Sequence, residues 1–297
     1  MSTYIKQFIE SLNLEDKSSD TIKSYKSDLE IFNAWLSSST GDSAPGTGHQ
    51  LSPTDITYPD IKAYRDYMVK TKKYKPASVN RKLATISKFC KWCVTQKILN
   101  VNPADQIKGV SKTQLSPKSL TINELRKFLR TVYKYGNKRD IAIAELLINT
   151  GIRECEITKL TIGDVSISDR KGSITVRWGK ARNARIMPLN KEARNTLADY
   201  LSIRPQVIDD LVFIGKRKNG LTRSAIRRII SKYAHLSGLS LSPHTLRHTF
   251  GRRMIKEPGV DIVTVQASMG HKNLNTTAIY TQPSQEDIEK AVDKLSK

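Results

Sequence analysis

Apolar positions recur at helical spacing through the first hundred residues. Tyr4, Ile5, Phe8, Ile9 and Leu12 form one stripe, the i, i+3, i+4 pattern of an amphipathic helix. A second stripe, opened by the capping pair Ser19-Asp20, carries Ile22, Tyr25, Leu29, Phe32 and Leu36. Residues 37–48 are rich in Ser, Gly and Thr with one Pro and read as a loop. A third helix is predicted after Pro59, with Ile61, Tyr64, Tyr67 and Met68 as its apolar set. A fourth is predicted from Pro76-Ala77-Ser78 through Val79, Leu83, Ile86, Phe89 and Val94, ending at Asn100-Val101-Asn102-Pro103.

Periodicity then stops. Residues 108–120 carry Pro, Ser and Lys without either period, the composition of an extended linker. Thr121 and Glu124 have capping-box spacing and start a new helix. Residues 141–148 form an apolar helical run that ends at Asn149-Thr150-Gly151. Val165-Ser166-Ile167 and residues 173–178 alternate as strands, 179–185 read as a polar turn, and Ile186-Met187-Pro188-Leu189 as the returning strand. Helical patterns resume at Lys191. The last is a short amphipathic stretch with Ile288, Val292 and Leu295 on one face and Glu286, Asp287, Glu289 and Lys290 around them. The predicted fold is therefore mainly α with a small antiparallel sheet (α+β), arranged as a helical domain 1–110, a linker 111–120 and a second domain 121–297.

Composition narrows the function. The 297 residues hold 50 Lys and Arg against 28 Asp and Glu, a formal charge of +22. The excess is uneven, +5 over residues 1–110 and +17 over 111–297. Self-repulsion of that size opposes compactness unless a polyanion shares the surface. Nucleic acid is such a polyanion, because each phosphate neutralised releases a condensed counterion. No run approaches the length of a membrane span, and the first residues lack the pattern of a secretory leader. Three cysteines are too few and too odd for a disulfide framework, so a reducing cytoplasm is the expected compartment. Cys90-Lys91-Trp92-Cys93 has redox-motif spacing, but it lies in an apolar helical pattern and reads as core.

Four segments carry the candidate chemistry. In Thr150-Gly151-Ile152-Arg153, a glycine breaks one helix and an arginine opens the next. The helix N-terminus and the guanidinium together suit an anion, and Glu156 is spaced to orient that guanidinium or cap the helix. In His244-Thr245-Leu246-Arg247-His248, His244 and Arg247 share one helical face while Leu246 points elsewhere, a pairing suited to a phosphoryl oxygen. Zinc between His244 and His248 is the rival reading. It lacks the Glu of a metalloprotease helix, and no metal site is expected. Met269-Gly270-His271 and Thr277-Ala278-Ile279-Tyr280 follow. Taken singly, a tyrosine there is an ordinary structural residue.

The order of these segments, with Gly179-Lys180-Ala181-Arg182 and Arg185-Ile186-Met187-Pro188-Leu189 between the first and second, closely resembles the tyrosine recombinases, or phage integrase family. Met269 stands where the family has Leu. The likeness covers nearly the whole chain, with 1–110 similar to the helical core-binding domain and 121–297 to the catalytic domain. It implies a C-shaped clamp on double-stranded DNA carrying a specific core site, working as a homotetramer on two sites, a dimer on each. It implies Tyr280 as nucleophile, Arg153, Lys180, His244, Arg247 and His271 as the other catalytic residues, and Glu156 in support. It also implies a 3′-phosphotyrosyl intermediate, no metal or nucleotide cofactor, and a C-terminal helix docking on the neighbouring subunit. The absence of sequence for a further arm-binding domain points to a simple two-domain resolvase of dimers or cointegrates, or an enzyme that integrates and excises a mobile element. A nicking-resealing topoisomerase and a catalytically inactive DNA-binding regulator are the alternatives. Lys82, Lys88, Arg182, Arg185, Lys216, Arg217, Arg223, Arg227 and Arg228 are candidate DNA contacts by charge and position.

Overall fold

The computed structural model describes residues 1–15, 17–39, 52–111, 119–178, 183–270 and 277. The chain divides into two compact units, Met1–Gln114 and Leu115–Lys297.

The first unit is helical: α1 Ser2–Leu14, α2 Ser19–Ser39, α3 Tyr58–Asp66 and α4 Pro76–Thr95. Thr57 sets the start of α3, two residues ahead of Pro59. Its N–H donates to Asp60 at 2.9 Å, while its hydroxyl accepts the Asp60 N–H. Pro59 sits in the first turn, where its missing N–H costs nothing. Tyr67 and Met68, predicted to continue α3, instead lie in a wider turn over Tyr67–Thr71 that still brings Met68 fully into the core. The apolar stripes meet as expected: Phe8, Leu12, Leu29, Phe32, Ile61, Val79, Ile86 and Phe89 are buried together. Phe8 meets the Phe89 ring edge-on at 5.5 Å. Cys90 and Cys93 are fully buried free thiols within this core, pushed up by burial to about 12 and about 11. Thiols held that high are not nucleophilic at neutral pH.

Lys82 departs from expectation. It is buried, and its Nζ donates at 2.8 Å to Asp28, a carboxylate buried on α2 that also binds Arg81 and the Thr85 hydroxyl. Lys82 is thus committed to an internal ion pair, and its expected place as a DNA contact is corrected. Lys88 is half-buried, 3.6 Å from Glu15 and over the Tyr25 ring.

The second unit is built around α6 (Lys138–Thr150), whose Ala142, Ile143, Ala144, Leu146, Leu147 and Ile148 are all buried. A helix apolar on every side must be covered on every side. Here α5 (Ile122–Tyr135), α8 (Lys191–Leu201), α9 (Arg223–Leu236) and α10 (Pro243–Lys256) pack on it. The short helix α7 (Glu154–Ile157) follows α6, and α11 (Ile262–Met269) packs on α10. Between α7 and α8 lies an antiparallel sheet in the order β1 (Val165–Ile167), β2 (Gly172–Trp178), β3 (Asn183–Pro188). Its register pairs Val165 with Ile174 and Val176 with Arg185.

β3 begins at Asn183, earlier than the apolar run suggests. Arg185 is a strand residue, not a turn residue, and the usual alternation is inverted there. Ile186 is 70% exposed, whereas the Arg185 side chain is only 15% exposed and shares the inner face with buried Met187. The cause is a buried carboxylate waiting on that face. Among the described residues no helix is long and apolar enough to cross a membrane.

Candidate active site

The end of α6 delivers the first arginine. Gly151 caps the helix in the left-handed conformation (φ 58°), and a Cβ there would lie 2.3 Å from Phe250 Cδ1. Only glycine combines that backbone with that contact. The chain then turns so that Ile152 is buried and Arg153 becomes the N-cap of α7. Glu156 both caps and orients. Its Oε2 accepts the Arg153 backbone N–H at 2.8 Å, and its Oε1 accepts the guanidinium at 3.0 Å.

The second arginine comes from α10. Ser242 caps that helix and Pro243 occupies its first turn, so His244 and Arg247 lie one turn apart on the same face. Leu246 is buried in the core. Arg247 is only 3% exposed. Its guanidinium donates to the Gly151 carbonyl and, at 2.5 Å, to the Met269 carbonyl. His244 is exposed to the cleft, and the His248 ring stands against it, centroids 4.2 Å apart and nearly perpendicular. Burial, then the Arg247 charge, lowers the His244 imidazole below its ordinary value. A neutral imidazole at pH 7 is ready to accept a proton.

Together these elements enclose a cleft of about 550 Å³ whose walls include Arg153, Glu154, Arg227, Ser231, His244 and Arg247. Bonded to Arg153, the carboxylate of Glu156, 5% exposed, also receives both terminal nitrogens of Arg185 at 3.0 and 2.8 Å. Burial raises the Glu156 carboxyl, but Arg185 and then Arg153 outweigh it and hold the group below the usual carboxylate range. The site presents two guanidiniums and a neutral imidazole to one small volume, with the adjacent negative charge already bound. That suits an anion whose charge grows during reaction.

His248 carries a measurable signature. Burial, with His244 and Arg247 beside it, pushes its imidazole down to about 4. The unfolded chain binds a proton near 6.5 that the folded site refuses. Stability from this group is therefore complete above about pH 6.5 and is lost as pH falls toward 4. Thermal unfolding at constant ionic strength should show the midpoint falling from pH 6.5 to 4.5. His248→Gln should flatten that limb and leave the smaller slope of His244. An unchanged acid limb in the variant would contradict the assignment.

Two domain models match the chain. The phage integrase family model matches residues 118–287, and a phage integrase N-terminal SAM-like domain matches residues 4–99. The chain belongs to the phage integrase family of tyrosine recombinases. Its activity is site-specific DNA recombination through a tyrosine-linked intermediate. The recombinase is 31% identical to a tyrosine recombinase XerC of Thermodesulfovibrio yellowstonii, over 98% of this chain and 95% of the relative. It is 29% identical to a TnP I resolvase of Bacillus thuringiensis, over 98% and 99%. Its fold is similar to that of a XerH site-specific recombinase bound to a palindromic difH substrate after cleavage, with TM-score 0.75 and 21% identity over 93% of this chain and 80% of that one.

Of the expected site residues, the recombinase brings Arg153, Glu156, His244 and Arg247 together. Lys180, Arg182, His271 and Tyr280 lie outside the described residues, as do Ile288, Val292 and Leu295. Lys216, Arg217, Arg223 and Arg228 are exposed. Arg227 is exposed at the cleft rim, where its Nε donates to both oxygens of Glu154 at 2.9 and 3.0 Å. Arg185, expected at the DNA backbone, is instead held inside the protein by Glu156 and, through Nε, by the Ser268 carbonyl at 3.0 Å. That role is not legible in the sequence. Its one signal was an arginine immediately before an apolar strand run. Among the described residues no three His, Cys, Asp or Glu side chains come together as a metal site would require.

Proposed function

We propose that the cleft holds the scissile phosphate of a duplex core site and that Tyr280 attacks it. The observation that carries this reading is the convergence of Arg153 from the α6–α7 turn with His244 and Arg247 from α10 in one cleft. The Tyr280 hydroxyl oxygen forms a bond to phosphorus as the bond to the 5′-oxygen breaks, leaving a 3′-phosphotyrosyl linkage and a free 5′-hydroxyl. His244 takes the tyrosine proton and Lys180 protonates the departing 5′-oxygen. Arg153 and Arg247 stabilise the non-bridging oxygens, and His271 donates a hydrogen bond to one of them. A 5′-hydroxyl from a partner strand then reverses the step on new DNA. The covalent link conserves the bond energy, so exchange needs no nucleotide cofactor.

Exchange needs two cleaved duplexes side by side. We infer a dimer on each site and a homotetramer on two, with the segment that the apolar spacing of Ile288, Val292 and Leu295 predicts as a helix docking on the neighbouring subunit. Lys88, Arg182, Lys216, Arg217, Arg223, Arg227 and Arg228 are the proposed backbone contacts. Their affinity term falls steeply with salt. The work is cytoplasmic, and its class is resolution of dimers or cointegrates or movement of a mobile element.

The test uses a nicked suicide duplex carrying the DNA beside the gene, resolved on a denaturing gel, together with a plasmid bearing two copies. The expected result is a protein–DNA adduct on the first and recombinant circles from the second. An adduct with relaxed plasmid but no recombinants would indicate a topoisomerase. Binding without an adduct on a site verified by footprinting would indicate a regulator.

A further inference from the structure

Three consecutive carbonyls at the C-terminus of α11 are each taken by a different arginine. Arg185 Nε donates to Ser268, Arg247 to Met269 and Arg153 to Gly270, the last at 3.1 Å. These are the carbonyls a helix end leaves without intrahelical partners, and they carry the negative end of its dipole. Gly270 ends α11 in the left-handed conformation (φ 61°), and a Cβ on it would stand 2.8 Å from Arg185 Nη1. Arg153 and Arg247 border the cleft. Arg185 lies behind it on β3 and donates to both oxygens of the buried Glu156 as well as to Ser268. Among the described residues it is the one side chain that joins β3, the Glu156 carboxylate and the end of α11.

We propose that Arg185 is a positioning residue for DNA cleavage: it neutralises Glu156 so that the Arg153 charge is felt by the phosphate, and it fixes the end of α11 against β3. The inference rests on the function proposed above. Glu156 shares Oε1 between Arg153 and Arg185. Without Arg185, the buried carboxylate keeps, among the described residues, the hydrogen bonds from Arg153. Their mutual attraction in a poorly solvated place then cancels the charge that should meet the phosphate. Lysine carries the charge but not the fork, and a single ammonium cannot bridge two carboxylate oxygens and a carbonyl in this geometry.

The experiment measures single-turnover cleavage of the suicide duplex at saturating protein, with duplex affinity measured separately. Arg185→Gln is expected to slow cleavage by about 10- to 100-fold, the usual cost of removing a residue that orients the reacting groups from behind. Affinity should change less than about threefold, because the Arg185 side chain is largely buried and its guanidinium is bonded to Glu156 and Ser268. The distinguishing variant is Arg185→Gln combined with Glu156→Gln. The amide still accepts the Arg153 N–H but carries no charge, so the double variant should cleave at least about fivefold faster than Arg185→Gln alone, a coupling that independent losses do not produce. Arg185→Lys should fall between wild type and Arg185→Gln, and it replaces the latter should that variant fail to fold. Cleavage by Arg185→Gln within twofold of wild type would overturn the proposal, as would a double variant no faster than Arg185→Gln. A wild-type chain that forms no adduct would overturn the function itself, whereas wild-type cleavage with unaffected Arg185 variants overturns only this inference.

Discussion

Tyr280→Phe is expected to abolish the covalent adduct while the protein still binds its site. The substitution removes one oxygen and keeps the ring. Packing is preserved, and stability should change by no more than a hydrogen bond's net worth, about 1 kcal/mol. Chemistry has no such tolerance. Losing a nucleophile that works as a unit with its partners lowers turnover on the order of 10⁶-fold, far below what a gel detects. The informative comparison is band shift against adduct on the same suicide duplex. A full-strength adduct in Tyr280→Phe would remove Tyr280 from its role and send the search to another hydroxyl. Loss of the band shift as well would make the tyrosine a binding or folding residue.

Arg247→Ala should have the next largest effect, and it should act twice. In the cleft, removing a buried donor aimed at a developing negative charge costs about 10²–10³ in the chemical step. In the fold, the Gly151 and Met269 carbonyls both lose their guanidinium partner. A buried polar group left unsatisfied costs roughly 1–3 kcal/mol, so the catalytic unit should lose roughly 2–6 kcal/mol. At about 2–4 °C per kcal/mol for a unit of this size, the unfolding midpoint drops visibly. Arg247→Lys separates the two effects poorly by design, since an ammonium cannot span two carbonyls and a phosphate, and it should remain strongly impaired. Cleavage by Arg247→Ala within tenfold of wild type, measured below its melting temperature at saturating DNA, would remove Arg247 from the transition state.

Much of this site is legible in the sequence. The Arg153–Glu156 pair works through spacing within one turn of helix, and the His244–Arg247 pair through one turn of another. Such local relations survive in any packing. The cysteines at 90 and 93 were legible for the same reason: they continue an apolar stripe, and they are buried. Long-range electrostatics was not legible. Lys82 looked like any basic residue on a helix until α2 brought Asp28 to within 2.8 Å of it. Arg185 looked like part of a basic turn until β3 placed it on the inner face, where Glu156 waits. An arginine before Ile186-Met187 reads as polar-outside, whereas a buried carboxylate reverses the preference, because its ion pair outweighs the exposure of one isoleucine.

The amino-acid order alone thus determined which segments form helices and strands, apart from the end of α3 and the start of β3, where the chain divides in composition, and which residue types recur at spacings fit for phosphoryl transfer. Hydrophobic periodicity and capping act over a few residues, and each segment carries that information itself. Which cations are held by buried carboxylates and which stand exposed was decided only by the tertiary structure. A charge takes its role from the nearest opposite charge in space, and for Lys82, Arg185 and Arg227 that partner lies tens of residues away in the chain.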